Sequence, residues 1–209
     1  MRKSAFTMLE LVMVIIVIGI ISSLALPRIS RDISQEASDI VLSAIRYTQH
    51  LALMDDKTNP TDGNWQQKLW QIQFSNSGGK WFYTISSDTN QDQVVDKEET
   101  AVDPVNGKRF YNENSDDTID LDDSPNVFLS QKFEINSVDF TGVGCSSKKQ
   151  IAFDHLGRPF SNIDNATNDF AKYMSTDCKI TIGFDGSADV KIIIKKETGY
   201  SFIEGQNNS

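Results

Sequence analysis

Six positions between residues 88 and 99 carry the most specific chemistry in this 209-residue chain: Asp88, Asn90, Asp92, Val94, Asp96 and Glu99. They occupy the first, third, fifth, seventh, ninth and twelfth places of the stretch DTNQDQVVDKEE. At that spacing alternate oxygen side chains converge on one hard cation, the seventh place offers a backbone carbonyl, and the last carboxylate binds through both oxygens. The register therefore predicts an EF-hand-like calcium site. Val95 fills the apolar eighth place, and Gln93 stands at the sixth, where Gly normally permits a sharp turn. The flanks read as strand and loop, so the expectation is an isolated calcium loop rather than a helix-loop-helix sensor. A solvated acidic loop is the alternative reading. The whole formal net charge of −9 falls between residues 86 and 123, where 12 Asp or Glu face only Lys97, Lys108 and Arg109. Favouring a cation, carboxylates crowded together repel unless paired or bound. Asp116, Asp117, Asp120, Asp122 and Asp123 match no ligand spacing and read as a solvated loop.

Other side-chain chemistry is sparse. The two histidines, His50 and His155, are scattered and have no partners in sequence. No G-x-S-x-G, H-E-x-x-H, phosphate-loop or dinucleotide motif occurs, so the chain reads as a non-enzyme with no organic cofactor. Asp154 and Arg158 read as a turn-bracing pair rather than as catalytic groups.

The elements that must carry these residues begin with a run, FTMLELVMVIIVIGIISSLAL at 6–26, whose single charge is Glu10. Its length matches the roughly 20 residues a helix needs to cross hydrocarbon. Arg2 and Lys3 precede it, which places the N-terminus in the cytoplasm and everything after Pro27 outside. A carboxylate inside such a helix costs about 2.5–3.5 kcal/mol on insertion scales and calls for a partner. Glu10 lies four residues after Phe6, and a free amine on Phe6 would be that partner.

After Pro27 the pattern becomes amphipathic. Ile29, Ile33, Ala37, Ile40, Val41, Ala44, Ile45, Thr48, Leu51 and Ala52 form a stripe at three- and four-residue intervals, predicting one helix that continues to residue 56. Pro27 predicts a kink or one lost hydrogen bond, and Asp55, Asp56, Asn59 and Pro60 end the pattern. Strands are predicted over 69–74, 80–85, 127–131, 133–138, 150–153, 179–184, 189–195 and 200–204, the first two joined as a hairpin at Ser77, Gly78 and Gly79. A long helix followed by an antiparallel sheet system gives an α+β class. The organisation is 1–5 leader, 6–26 transmembrane helix, 27–56 amphipathic helix, and 57–209 a single β-rich domain with the acidic insert at 86–123. Cys145 and Cys178 both fall on the portion placed outside. An even count there predicts a disulfide, which would contribute on the order of 3–4 kcal/mol.

Phe6, Glu10, the unbroken apolar helix and Pro27 at the twenty-second position counted from Phe6 resemble the type IV pilin and type II secretion pseudopilin superfamily. The resemblance implies leader cleavage between Ala5 and Phe6 by prepilin peptidase, N-methylation of Phe6, and assembly through Glu10 and Pro27. Ala5 stands where the family usually has Gly. Nearer the C-terminus, IAFDHLGRPFS (151–161) and CKITIGFDGSADVKIIIKKETGY (178–200) are similar to the closing segment of H-type minor pseudopilins and FimT-like minor pilins. In that segment an F-D-x-x-G-R-P turn precedes a Cys-led strand, a polar hairpin, a basic strand and a final T-G.

The resemblance implies a pilin-like fold and a minor subunit at a filament tip or in assembly priming. Its implied partners are other pilins or pseudopilins, prepilin peptidase, the assembly platform and the bacterial inner membrane, with the C-terminal domain in the periplasm. It also implies that calcium can order a loop of the globular domain. The pilus, type II secretion and DNA-uptake machines share the N-terminal module. DNA-binding members carry a basic G-R-x-R near the C-terminus, where this chain has Gly199, Tyr200, Ser201 and Phe202. Lys191, Lys195 and Lys196, with Lys148 and Lys149, form the remaining candidate nucleic-acid contact, set against a sequence pI of about 4.7. Two bland readings of the apolar run are an uncleaved membrane anchor and a secretory signal peptide, for which the run is too long.

Overall fold

The computed structural model describes residues 7–112, 118–142, 144–145, 148–168 and 170–206, with the side chains of 23–32 also outside the description. Helix α1, Met8–Met54, opens on Thr7, whose hydroxyl accepts the backbone N–H of Glu10, and ends at Asp55. It continues through Pro27 as one element.

The predicted stripe is the buried face of α1. Ala37, Val41, Ala44, Ile45, Thr48 and Ala52 are buried, and Ile33, Ile40 and Leu51 pack at the margin. Side-chain burial at this spacing supplies most of the stability of a long helix, since isolated helices are marginal in water.

The N-terminal half differs. Every large apolar residue from 8 to 21 is exposed, none below 45 %. No helix among the described residues is long and apolar enough to cross a membrane. The predicted span 6–26 is therefore not reproduced on them. Its side chains are described for 7–22 only, fewer than the roughly 20 residues a crossing needs.

Two four-stranded antiparallel sheets cover the second half of α1. The first has the order β2-β1-β4-β5, from β1 (Trp70–Ser77), β2 (Lys80–Ser86), β4 (Gln150–Phe153) and β5 (Pro159–Ser161). The second has the order β3-β6-β7-β8, from β3 (Ile135–Thr141), β6 (Cys178–Phe184), β7 (Val190–Ile194) and β8 (Ser201–Ile203). The α+β class is as the sequence predicts. Between the sheets and α1 lies one core, with Ile72, Tyr83, Phe128, Phe133, Phe153, Ile180 and Ile192 fully enclosed.

Several predictions need correction. Residues 127–131 are not a strand: Pro125–Val127 is a 3-10 turn and Leu129–Phe133 a short helix, α2. Its apolar run looks strand-like because Val127, Phe128, Leu129 and Phe133 are all core residues, a case that periodicity over so few residues does not resolve. Strand β5 was absent from the predicted set, because Pro159 suppresses strand character and is tolerated here at the start of an edge strand. The acidic insert is not uniformly solvated either. Ala101 and Phe110 enter the core, and Asp103, Asn112 and Asp123 are buried, so Asp123 is misplaced by the solvated-loop reading. Asp122 is exposed, and Asp116 and Asp117 lie outside the described residues.

The predicted bridge is present. Cys145 and Cys178 form a disulfide across a separation of 33 residues, tying the turn after β3 to the first residue of β6.

Candidate functional site

The predicted calcium loop leaves β2 and returns at the bridge between Ser86 and Thr100. Its neck is closed by Ser87 N–H donating to Glu99 O at 3.1 Å and Ala101 N–H to Ile85 O at 2.8 Å. Within the neck the loop's own side chains accept from its backbone. Gln93 N–H donates to Asp88 Oδ2 at 2.9 Å, Asp92 N–H to Asn90 Oδ1 at 3.0 Å and Val94 N–H to Asp92 Oδ1 at 2.8 Å. The sixth place turns through the left-handed region, with Gln93 at φ 66°. The sequence departs from Gly there while the backbone keeps the conformation Gly would favour.

Glu99 reaches back to the start of the loop. Its Oε1 accepts Thr89 N–H at 2.7 Å, the Thr89 hydroxyl at 2.7 Å and Asn90 N–H at 3.1 Å. Asn90 Nδ2 donates to Asp92 Oδ2 at 3.1 Å and reaches Asp96 Oδ2 at 3.4 Å, so an amide donor separates two carboxylates. Among the described residues no group of three or more His, Cys, Asp or Glu side chains is arranged to hold a metal ion.

Two oxygens of the register are left over. Asp88 is 5 % exposed, and its Oδ1 is buried without a hydrogen-bond partner, as is Oε2 of Glu99. Burial, and after it the neighbouring Glu99 and Asp92 carboxylates, hold Asp88 above its ordinary value despite backbone hydrogen bonds from Gln93 and Gln91.

Gln91, also left-handed at φ 62°, docks the loop on its neighbour: its Nε2 donates to Asp62 Oδ2 at 3.0 Å and Asn64 O at 3.1 Å. Asp62 also accepts from Lys68 at 2.9 Å. These bonds, that of Lys68 foremost, lower its carboxyl to about 2. Neither Gln91 nor Asp62 belongs to a spacing motif, so sequence reasoning had no route to them.

Asp103 is a further buried carboxylate that sequence reasoning missed. Its two oxygens accept Val105 N–H at 2.9 Å, Asn106 Nδ2 at 3.0 Å, the Ser124 hydroxyl at 2.6 Å and Asn126 Nδ2 at 2.9 Å. The D-P-V-N-G turn chemistry at 103–107 was the available signal. Its charge contributes, after burial, to raising the Tyr47 and Tyr83 phenols.

The FDxxGRP corner is a second constellation. Asp154 Oδ1 accepts Leu156 N–H at 3.0 Å and Arg158 N–H at 2.9 Å, while Oδ2 takes Arg158 Nε at 2.7 Å and a terminal guanidinium nitrogen at 2.6 Å. The pair braces its turn, as the sequence predicts. From α1, Gln49 Nε2 donates at 2.8 Å to both Gly157 O and Thr198 O, and Arg46 donates to Ser201 O at 2.7 and 3.2 Å. Gly199 has φ 65°, and a Cβ there would lie 2.4 Å from Gly157 O. The T-G pair and the turn thus meet on one helix side chain.

Of the remaining predicted positions, Ala5 and Phe6 lie outside the described residues, as does the side chain of Pro27. Glu10 is exposed at the third position of α1. The lysines of the candidate nucleic-acid patch each face a carboxylate: Lys195 meets Asp177 at 2.7 Å, Lys191 meets Glu204 at 3.8 Å and Lys196 meets Glu197 at 4.0 Å. Lys148 pairs with Asp164, and Lys149 meets Asp139 at 3.2 Å. The bond from Lys195 foremost lowers Asp177, and that from Lys179 lowers Glu204. His155, without a sequence partner, sits 3.2 Å from Asp56. Compared with protein-family models, curated proteins and solved structures, the chain matches none of them.

Proposed function

We propose that this chain is a minor pilin- or pseudopilin-like subunit. In this reading prepilin peptidase cuts between Ala5 and Phe6, the apolar first half of α1 holds the chain in the inner membrane, and the assembly platform then incorporates it into a filament beside other pilins. The carrying observation is the division of α1. Its stripe from Ile33 onward is covered by the two sheets, whereas the apolar residues from Met8 to Ile21 have no cover in their own chain. An apolar surface of that extent seeks lipid or the matching helices of neighbouring subunits.

Glu10 then has a defined task. It is the one charge in the uncovered half, and a free amine at Phe6, of its own or a neighbouring subunit, satisfies it and sets register. The acidic insert, with its net charge of −9, disfavours close lateral packing of many copies and suits a minor component at a tip or in priming. The paired lysines offer no surplus positive charge for phosphate, so the DNA-binding alternative gains nothing from their geometry.

Glu10→Gln separates charge from helix capping, because Gln suits the third helical position as well as Glu does. Incorporation is measured by immunoblot of sheared filaments against the membrane fraction. We expect membrane association and cleavage to persist and incorporation to fall about tenfold, the equivalent of roughly 1.4 kcal/mol. Normal incorporation of both Glu10→Gln and Glu10→Val sinks the register role.

A further inference from the structure

We propose one divalent-cation site, selective for calcium, at the loop between β2 and Thr100, with Asp88, Asn90, Asp92, the Val94 carbonyl, Asp96 and Glu99 as its ligands; without the ion no three of these carboxylates are gathered to hold it, so the site closes on binding. It goes beyond the filament reading and does not rest on it.

A cluster of acids alone would be only a charged surface. What distinguishes this one is its interior. Asp88 is 95 % buried, yet Oδ1 meets no donor, and Glu99 Oε2 is enclosed and equally unpartnered. Buried polar atoms in folded proteins have partners as a rule, and a buried carboxylate oxygen facing other carboxylates calls for a cation. The two oxygens belong to the first and twelfth places of the register. Each residue's other oxygen is already engaged by the loop's own backbone, Asp88 Oδ2 by Gln93 N–H and Glu99 Oε1 by Thr89 and Asn90 N–H. The loop is thus fixed by one oxygen of each residue and leaves the other for a ligand.

Asn90 Nδ2, between Asp92 and Asp96, screens two carboxylates weakly. A dication takes over that screening and draws the ring together. Six to eight oxygens in flexible geometry, one of them a backbone carbonyl, suit calcium, whereas magnesium requires a stricter octahedron and gives up its waters reluctantly. Bound calcium would stiffen the neck at Ser86 and Thr100 and, through Gln91, the 62–64 turn docked beside it.

The test is calorimetric titration of the full chain in detergent micelles, stripped with EDTA, using calcium chloride alone and magnesium chloride alone, with thermal melts in parallel. We expect one saturable calcium site with Kd of about 10⁻⁴–10⁻³ M, the range of extracellular modules, at least tenfold tighter than for magnesium. Calcium should raise Tm, and Asp88→Asn or the exposed Asp92→Ala should weaken binding tenfold or more and abolish the rise. Asp189→Asn, an exposed acid between β6 and β7 and away from the loop, should leave Kd unchanged. No saturable binding by the unsubstituted chain overturns the site, as does equal affinity for magnesium or equal weakening by Asp189→Asn. Should Asp88→Asn fail to fold, Asp92→Ala and the unsubstituted titration still decide.

Discussion

Asp88 and Asp154 are both buried aspartates that shape a tight loop, 5 % and 1 % exposed respectively, and they solve the problem of a buried charge in opposite ways. Asp154 has its cation built in: Arg158, four residues on, binds one oxygen while backbone N–H groups take the other. Asp88 has backbone donors on one oxygen and nothing on the other. Asp103 adds a third solution, four neutral donors and no cation. The lesson is that burial of a carboxylate does not mark a site by itself. What separates the three is which donors each oxygen has and which it lacks.

The largest loss of stability is expected at the self-sufficient corner. Gly199→Val places a β-branched residue at φ 65° against Gly157 O and Gln49, and strain plus overpacking should cost about 3 kcal/mol or more in a denaturant melt. Asp154→Asn should cost about 2 kcal/mol by removing the charged acceptor of Arg158 and its backbone bonds. That loss should be equal in calcium and in EDTA, and dependence on calcium would merge the two corners into one unit.

Asp88→Asn should behave with the opposite sign. In EDTA at neutral pH it should raise Tm by about 2–3 °C, since the buried like-charge cost is removed. The folded state holds Asp88 above its ordinary carboxyl value. Its ionisation is therefore an expense incurred as pH rises through that folded value, and the advantage of the Asn variant should fade on acidification toward and below the ordinary value of 3.8. Asp177 and Glu204, lowered by their lysines, run the other way: their contribution is present above the ordinary carboxyl range and is lost as pH falls through their folded values. A gain of similar size to that of Asp88→Asn is expected from Gln93→Gly. Relief of a left-handed non-glycine backbone should stabilise by about 1 kcal/mol, visible as a Tm increase with or without calcium.

Much of this was legible because periodicity and spacing are local. The α1 stripe, the β1–β2 hairpin and β4 at 150–153 are all written within short windows. The Cys145–Cys178 pairing followed from there being only two cysteines. The strand misread at 127–131 was a core-facing turn and helix, where apolar content is high for tertiary reasons. Asp103 and Gln91 were harder to read for a related reason. Beyond its own D-P-V-N-G turn, Asp103 is completed by Ser124 and Asn126, and Gln91 finds its acceptors at Asp62 and Asn64, pairings between distant segments that have no signature in sequence.

The clasp between Arg46 and Ser201 O joins residues 155 positions apart, and it sets an order in time. Helix α1 is synthesised before the sheets, but part of its buried stripe is covered by β7 and β8, which leave the ribosome after the other six strands. Until those strands arrive the stripe has only partial shelter, and the long loops that must close make the final docking slow. This domain therefore completes its core only after β8 has emerged, with the Gln49 and Arg46 bonds among the last to form.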